Sequence, residues 1–340
     1  MQKALNIGVI GYGYWGPNIV RNFHALDSVK SLFVCDMRSD ACCAAKKNFP
    51  SVQTTTDVNS ILTSPDIDAV AVITPVFTHY ELAKKALENG KHVFVEKPFT
   101  STVAQAEELI ELAEQKHLQI MVDHTFLFTG AVRKIRELID KNVLGELYYY
   151  DSMRVNLGLF QHDVNVIWDL APHDLSIMDY VIDEKPEAIS AHGKPHFSER
   201  LEDVAFITVF FGNNIIAHFN VSWISPVKVR TTLIGGEKSM VVWNDLDADE
   251  KIKVYDKGVK VTNREGVYDL LVSYRSGDTW APKIPQNEAL KEEAQYFIDC
   301  VLNGQRPIND GHAGLRVVRM MEASTRSIRD DGKPVKLNGW

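Results

Sequence analysis

Residues 4–36 read ALNIGVIGYGYWGPNIVRNFHALDSVKSLFVCD, and this stretch decides the fold. A continuous apolar run, ALNIGVI, meets Gly11-x-Gly13-x-x-Gly16. A helical pattern through Arg21 follows, and a second apolar run ends at Cys35-Asp36. Strand, glycine turn, helix and strand make the first unit of a dinucleotide-binding βαβ fold; without that setting the three glycines would say little. Gly11 permits the tight turn, Gly13 lets the backbone approach a pyrophosphate, and Gly16 lets the helix pack closely. Tyr14 and Trp15 complete the turn, and Pro17 falls in the first helical turn, where its missing N–H costs little. Asp36, about 20 residues beyond the turn, stands where an acidic residue meets the adenosine ribose hydroxyls. A carboxylate there repels a 2′-phosphate, so NAD is the expected cofactor, with NADP left possible by Arg38. The bland readings are a glycine-rich turn of any α/β protein and a helix-capping aspartate.

Working outward, apolar runs recur to about Asp123: VKSLFVCD, a short piece at Val52, IDAVAVIT, HVFVE and QIMVD. They are continuous rather than alternating, as strands buried on both faces of a parallel sheet are. Helical stretches separate them, one with the stripe Ala106, Leu109, Ile110 and Ala113. Asn89-Gly90 reads as a helix stop, and Asp57 and Thr78 as N-caps. Repeated βα units imply a doubly wound parallel sheet. Beyond residue 130 the rhythm changes. One helix from Val132 to Lys141 precedes the strand-like runs ELYYYDSMRVNL, DVAFITVFF, IIAHFNVSW, VRTTLIG, SMVVW and IKVYD. Their period-two alternation, with turns such as that in FFGNNII, reads as an antiparallel meander. Two helices, 288–302 and 313–329, close the chain. The expected division is a Rossmann domain at 1–123 and a second α/β domain, with an open mainly antiparallel sheet, at 124–340. The two are expected to share a cleft.

Composition agrees. The 340 residues are 45% hydrophobic and 24% charged, which excludes disorder, collagen and coiled coil. Lys and Arg number 37 against 45 Asp and Glu, a net charge of −8 that argues against a nucleic-acid partner. No apolar run approaches the roughly 20 residues a membrane helix needs. The cysteines, Cys35, Cys42, Cys43 and Cys300, lack C-x-x-C spacing. A reduced, cytoplasmic location is expected, with neither a zinc site nor disulfides.

Two further motifs carry chemistry. Thr74-Pro75, His79 and Glu96-Lys97-Pro98 follow predicted parallel strands, whose carboxyl ends hold the ligand crevice in such sheets. A lysine beside a nicotinamide suits hydrogen bonding to a reacting hydroxyl. By composition alone, Lys97 would be a surface residue and His79 a helix-start residue. In WDLAPHDLSIMDYVI, Asp169 and His173 stand one turn apart on a helix that Pro172 should limit to starting nearby. A histidine oriented by an aspartate is a ready proton acceptor; the bland alternative is a structural histidine. The density of His162, Asp163, Asp169, His173 and Asp174 also admits a metal-dependent hydrolase, which would leave the glycine turn and Lys97 unexplained. No metal is expected.

Together GYGYWG, ITPVFTH, GKHVFVEKPF, DLAPHDLSIMDY and FIDCVLNGQRPINDGHAGLRVVRMMEAS resemble the Gfo/Idh/MocA oxidoreductases over nearly the whole chain. The resemblance implies Lys97 and His173 as catalytic pair, Asp169 beside them, Glu96 at the nicotinamide ribose, and a cis Lys97–Pro98 peptide. It also implies a homodimer or homotetramer through the outer face of the antiparallel sheet. After the sixth strand many relatives carry an asparagine and an arginine; this chain has DHTFLFTG, so substrate contacts do not transfer there. RVNLGLFQHDVNVIWDLAPHD and YRSGDTWAPKIPQNEALKEEAQYF look like the branch that oxidises C3 of UDP-linked N-acetylamino sugars or their uronic acids for surface-polysaccharide precursors. That reading makes Arg154, Asn156, His162, Arg275 and Asp278 substrate contacts. The rivals are a dehydrogenase of a free sugar or polyol and a non-catalytic NAD-binding sensor.

Overall fold

The computed structural model describes residues 4–158, 161, 163–212, 214–261, 272–275 and 277–337. In chain order the elements begin β1 (Leu5–Ile10), α1 (Gly16–His24), β2 (Val29–Cys35), α2 (Ser39–Asn48), β3 (Gln53–Thr55) and α3 (Asn59–Leu62). There follow β4 (Ala69–Val72), α4 (His79–Glu88), β5 (His92–Val95), α5 (Val103–Gln115), β6 (Ile120–Val122) and α6 (Gly130–Asp140). The next are β7 (Leu147–Leu157), α7 (Val166–Val181), β8 (Pro186–Lys194), β9 (Val204–Phe211), β10 (Ile216–Ser222), β11 (Ile224–Gly236) and β12 (Met240–Asn244). The last are β13 (Ile252–Tyr255), β14 (Gly258–Val261), β15 (Val272–Arg275), β16 (Thr279–Trp280), α8 (Ala289–Asn303), α9 (Gly311–Arg329) and β17 (Val335–Lys336).

The chain divides into two compact units. The first holds Met1–Phe128 and Asn287–Arg319, the second Thr129–Gln286 and Met320–Trp340. The division expected from sequence, 1–123 and 124–340, needs correction. Residues 287–319 belong with the Rossmann unit because α8 and the start of α9 supply side chains to its core. Phe297 of α8 packs edge-on against Phe94 of β5 at 5.6 Å and Phe23 of α1 at 6.4 Å.

In the first unit six strands run in the order β3-β2-β1-β4-β5-β6, all pairings parallel. The order reverses between β1 and β4, and ligands of open parallel sheets bind beyond the carboxyl ends of the strands at that point. All four residues of β4 are buried, as the continuous apolar run IDAVAVIT predicts.

The second unit holds a nine-stranded sheet, β16-β13-β12-β11-β7-β10-β9-β8-β17. It is mainly antiparallel, but the expected meander is corrected at its centre. There β7 pairs with β10 in parallel and with β11 in antiparallel, because α7, β8 and β9 intervene before the chain returns beside β7. The hairpin expected at FFGNNII does form between β9 and β10, with Phe210 opposite Ile216. β8 had no strand signal, since PEAISAHGK is poor in β-branched residues; pairing with β9 holds it extended. Alternation along β9 buries Ala205, Ile207, Val209 and Phe211 on one face. The other face leaves Phe206 and Phe210 exposed, with Tyr149, Met153 and Ile216.

Candidate active site

The glycine turn follows β1 directly. Gly11 has φ +103, and a Cβ there would stand 2.3 Å from the carbonyl oxygen of Ile73. A Cβ on Gly16 would lie 2.6 Å from the carbonyl oxygen of Gly11. Gly13 meets nothing within 4 Å, so the backbone there is open to a ligand. Exposed Tyr14 and Trp15 stand beside it, at the N-terminus of α1, whose free N–H groups and dipole favour a pyrophosphate.

Asp36 follows β2 directly and is 8% exposed. Its Oδ2 accepts from Tyr12 N at 2.8 Å, and its Oδ1 from Arg38 N at 2.9 Å and Arg38 Nε at 3.2 Å. The carboxylate thus ties the glycine turn to the end of β2. Burial opposes its charge, yet the hydrogen bonds from Arg38 and Tyr12 outweigh burial and hold it below the usual carboxylate range. A carboxylate offers about four acceptor positions, so capacity for ribose hydroxyls remains. These residues fit NAD: an open approach at Gly13, a helix N-terminus and a ribose acceptor.

Thr74 and Pro75 follow β4; Glu96 and Lys97 follow β5; Asp123 and His124 follow β6. Glu96 is buried and Lys97 half-buried, and the Lys97–Pro98 peptide is cis. His79, expected as a cofactor contact, needs correction. It is 1% exposed, with Nδ1 2.9 Å from Pro98 O and Nε2 2.7 Å from Thr74 O. The neutral ring donates to one of these carbonyl oxygens and sits against the other, so His79 acts as a strut between the segments after β4 and β5. Burial lowers its pKa, Lys97 nearby lowers it further, and the backbone hydrogen bonds work the other way. Thr78 precedes α4 as expected, but its hydroxyl donates to Pro75 O and pairs with the Thr74 hydroxyl instead of capping the helix.

Sequence reasoning missed the polar cluster beneath β5 and β6. Glu293 of α8 is fully buried, accepts from Asn309 Nδ2 at 2.9 Å and hydrogen-bonds to Asp123. Asn309 also donates to Val122 O at 2.7 Å, and Thr125 to Asp123. Burial pushes Asp123 and Glu293 upward. It pulls His124 down to about 3, with Lys97 and Arg316 acting in the same direction. A usable signal was present: Glu293 falls in the apolar stripe of α8 with Phe297 and Cys300.

In the second unit α7 carries the D-x-x-x-H element. Asn165 caps it by accepting from Trp168 N at 3.2 Å, so the helix starts before Pro172 and contains it. The expected start near Pro172 is corrected; the side-chain cap sets the beginning instead. Asp169 falls in the first turn, and both it and His173 are half-buried. Trp223 Nε1 donates to Asp169 Oδ2 at 2.9 Å, a partner no motif announced.

Arg154, expected to meet a substrate diphosphate, is 4% exposed and paired with Asp174 through Nε at 2.6 Å and Nη2 at 3.0 Å. That reading is corrected, because a diphosphate needs an accessible guanidinium. Asn156 is half-buried on β7 and Asp278 is exposed. His162 and the side chain of Arg275 lie outside the described residues. Among the described residues no group of His, Cys, Asp or Glu is arranged for a metal, and no helix is long and apolar enough to cross a membrane.

A 3-2-1-4-5-6 parallel sheet with this glycine turn, joined to a unit built on a large mixed sheet, defines a protein of the Rossmann dinucleotide-binding class. The sequence model of the oxidoreductase family with NAD-binding Rossmann fold matches residues 5–124, and that of the GFO/IDH/MocA C-terminal domain matches 132–242. The chain belongs to the Gfo/Idh/MocA family and is an NAD-binding oxidoreductase of the sugar and polyol dehydrogenase kind. It is 25% identical, over 98% of its length and 95% of the relative's, to a scyllo-inositol 2-dehydrogenase (NAD(+)) of Bacillus subtilis. It is 26% identical, over 92% and 94%, to a UDP-N-acetylglucosamine 3-dehydrogenase of Acidithiobacillus ferrooxidans. Levoglucosan dehydrogenase, solved with NADH and levoglucosan, shares the fold at TM-score 0.84 and 20% identity, over 98% of this chain and 99% of that one.

Proposed function

We propose that the protein transfers hydride between NAD and a ring hydroxyl of a UDP-linked N-acetylamino sugar or its uronic acid, at C3. The observation that carries the oxidoreductase chemistry is Lys97, placed directly after β5 at the carboxyl edge of the NAD-binding sheet. NAD, when bound, supplies the hydride acceptor. Lys97 holds the reacting oxygen by a hydrogen bond and stabilises the negative charge that builds on it. His173 accepts the hydroxyl proton, and Asp169 binds or orients beside it. Glu96 serves the nicotinamide ribose. Asn156 and Asp278, with His162 and Arg275, are the substrate contacts on this reading.

The nucleotide-sugar assignment is supported by the segments around Arg154 and Arg275 and by the likeness to the UDP-N-acetylglucosamine 3-dehydrogenase. The inositol dehydrogenase relative favours a second reading, a free polyol as substrate. The deciding assay follows NADH formation with UDP-amino sugars, their uronic acids, free hexoses and inositols, repeated with a ketone trap and an external oxoacid. UDP competes with a nucleotide-sugar substrate and leaves a free-polyol reaction untouched. Silence throughout, with NAD still bound, overturns both in favour of an NAD sensor.

The exposed apolar face of the second unit's sheet is assigned to a second copy of this chain. Tyr149, Met153, Phe206, Phe210 and Ile216 form a patch on adjacent strands, which suits a two-fold, self-complementary contact.

A further inference from the structure

Two side chains from the sheet of the second unit reach carboxylates that flank His173 on α7. Trp223, at the corner joining β10 to β11, is 1% exposed and donates its indole N–H to Asp169 at 2.9 Å. Arg154 of β7 makes two bonds to Asp174, at 2.6 and 3.0 Å, and both side chains are 4% exposed. The corner is itself fixed. Trp223 N donates to Asp203 O, and Trp223 O accepts from Gly158 N, each at 2.9 Å. A Cβ on Gly158 would lie 2.7 Å from the indole, so glycine is what lets the ring seat there.

These bonds do what apolar packing cannot. The stripe Val166, Ile167, Ala171, Leu175 and Met178 buries α7 without direction, and such contacts tolerate small rotations. Pro172 lies inside the helix and has no N–H to offer the carbonyl of Trp168, so the ladder lacks a bond in the turn between Asp169 and His173. A turn weakened there needs directional anchors, and one stands on each side of His173.

We infer that Trp223 and Arg154 are positioning residues that set the rotation and height of the Asp169–His173 turn against the sheet. Trp223 aims the Asp169 carboxylate, and Arg154 pins Asp174 beside His173. The inference rests on the reading of Asp169 and His173 as catalytic groups.

The test uses Trp223→Phe, which keeps a ring and removes the N–H, and the double variant Arg154→Met/Asp174→Met. The double variant breaks the second anchor without stranding a buried charge, so it folds. Hydrogen exchange of amides 166–171, 173 and 174, NAD affinity, melting temperature and steady-state kinetics are read for each. Both variants keep wild-type NAD affinity and melt close to wild type, while the amides exchange faster. In each, kcat falls by at least about tenfold with KM little changed, the size of one lost hydrogen bond to a charged group. In an Asp169→Ala background, which removes the acceptor, Trp223→Phe costs nothing further. Unchanged exchange overturns the anchors whatever the activity does. Faster exchange with full kcat, or a loss that adds to that of Asp169→Ala, overturns the positioning role. If the wild type oxidises no sugar, the functional reading fails, and exchange alone decides whether the anchors hold the turn.

Discussion

Glu293 on α8 meets Asp123, at the end of β6, as a hydrogen-bonded carboxyl pair inside the first unit. Two ionised carboxylates are both acceptors, so the contact requires a proton held by one of the two carboxyls. Burial first, then the charges of Asp123 and Glu96, keeps that proton on Glu293 well above the ordinary range. Glutamine in its place retains the shape and donates where the carboxyl does.

The sign of the pH effect follows. In the unfolded chain Glu293 ionises near its ordinary 4.5, while the folded chain keeps the proton. Above that pH the native state binds more protons, so stability falls as pH rises toward the folded pKa. Glu293→Gln lacks this slope. Its melting temperature relative to wild type should rise from pH 5 to pH 8; a constant difference in urea or thermal unfolding would show Glu293 ionised in the fold.

Gly11 and Gly13 should separate stability from binding. Gly11→Ala forces a Cβ onto Ile73 O from a positive φ and should cost about 1–3 kcal/mol, seen as a lower melting temperature. Gly13→Ala meets no protein atom, so the fold should melt as wild type while NAD affinity, measured by calorimetry, drops.

Asp36 and Arg38 should govern the choice of cofactor. Asp36→Ser removes the carboxylate that repels a 2′-phosphate and releases Arg38 to meet one. The ratio of kcat/KM for NADP over NAD should rise at least about tenfold. Adding Arg38→Ala should reverse much of that gain.

Lys97→Met and His173→Asn should each lower turnover by about 100-fold or more, the scale of a lost acid–base group, with NAD affinity near normal. Near-wild-type turnover in either variant would remove that residue from the mechanism.

Phe206→Glu together with Phe210→Glu places charges on the open sheet face. Sedimentation should then show a smaller species than wild type, with the melting of each unit preserved. Identical sedimentation would exclude this face as the contact.

Much of this protein is decided locally. The run from Ala4 to Asp36 determined a βαβ unit because continuous apolar strands, a glycine turn and a helix each follow from nearest neighbours along the chain. The position of Lys97 at a strand end and of Asp169 and His173 on one helix face was legible for the same reason. Other features depend on contacts distant in sequence, which local periodicity does not encode. The return of 287–319 to the first unit depends on Phe297 finding Phe23 and Phe94. Arg154 read as an exposed phosphate binder until the sheet and α7 enclosed it with Asp174, where burial makes pairing obligatory. Trp223 is silent in sequence because its role is one N–H aimed at one carboxylate, and only the packing of a sheet corner against α7 brings the two together.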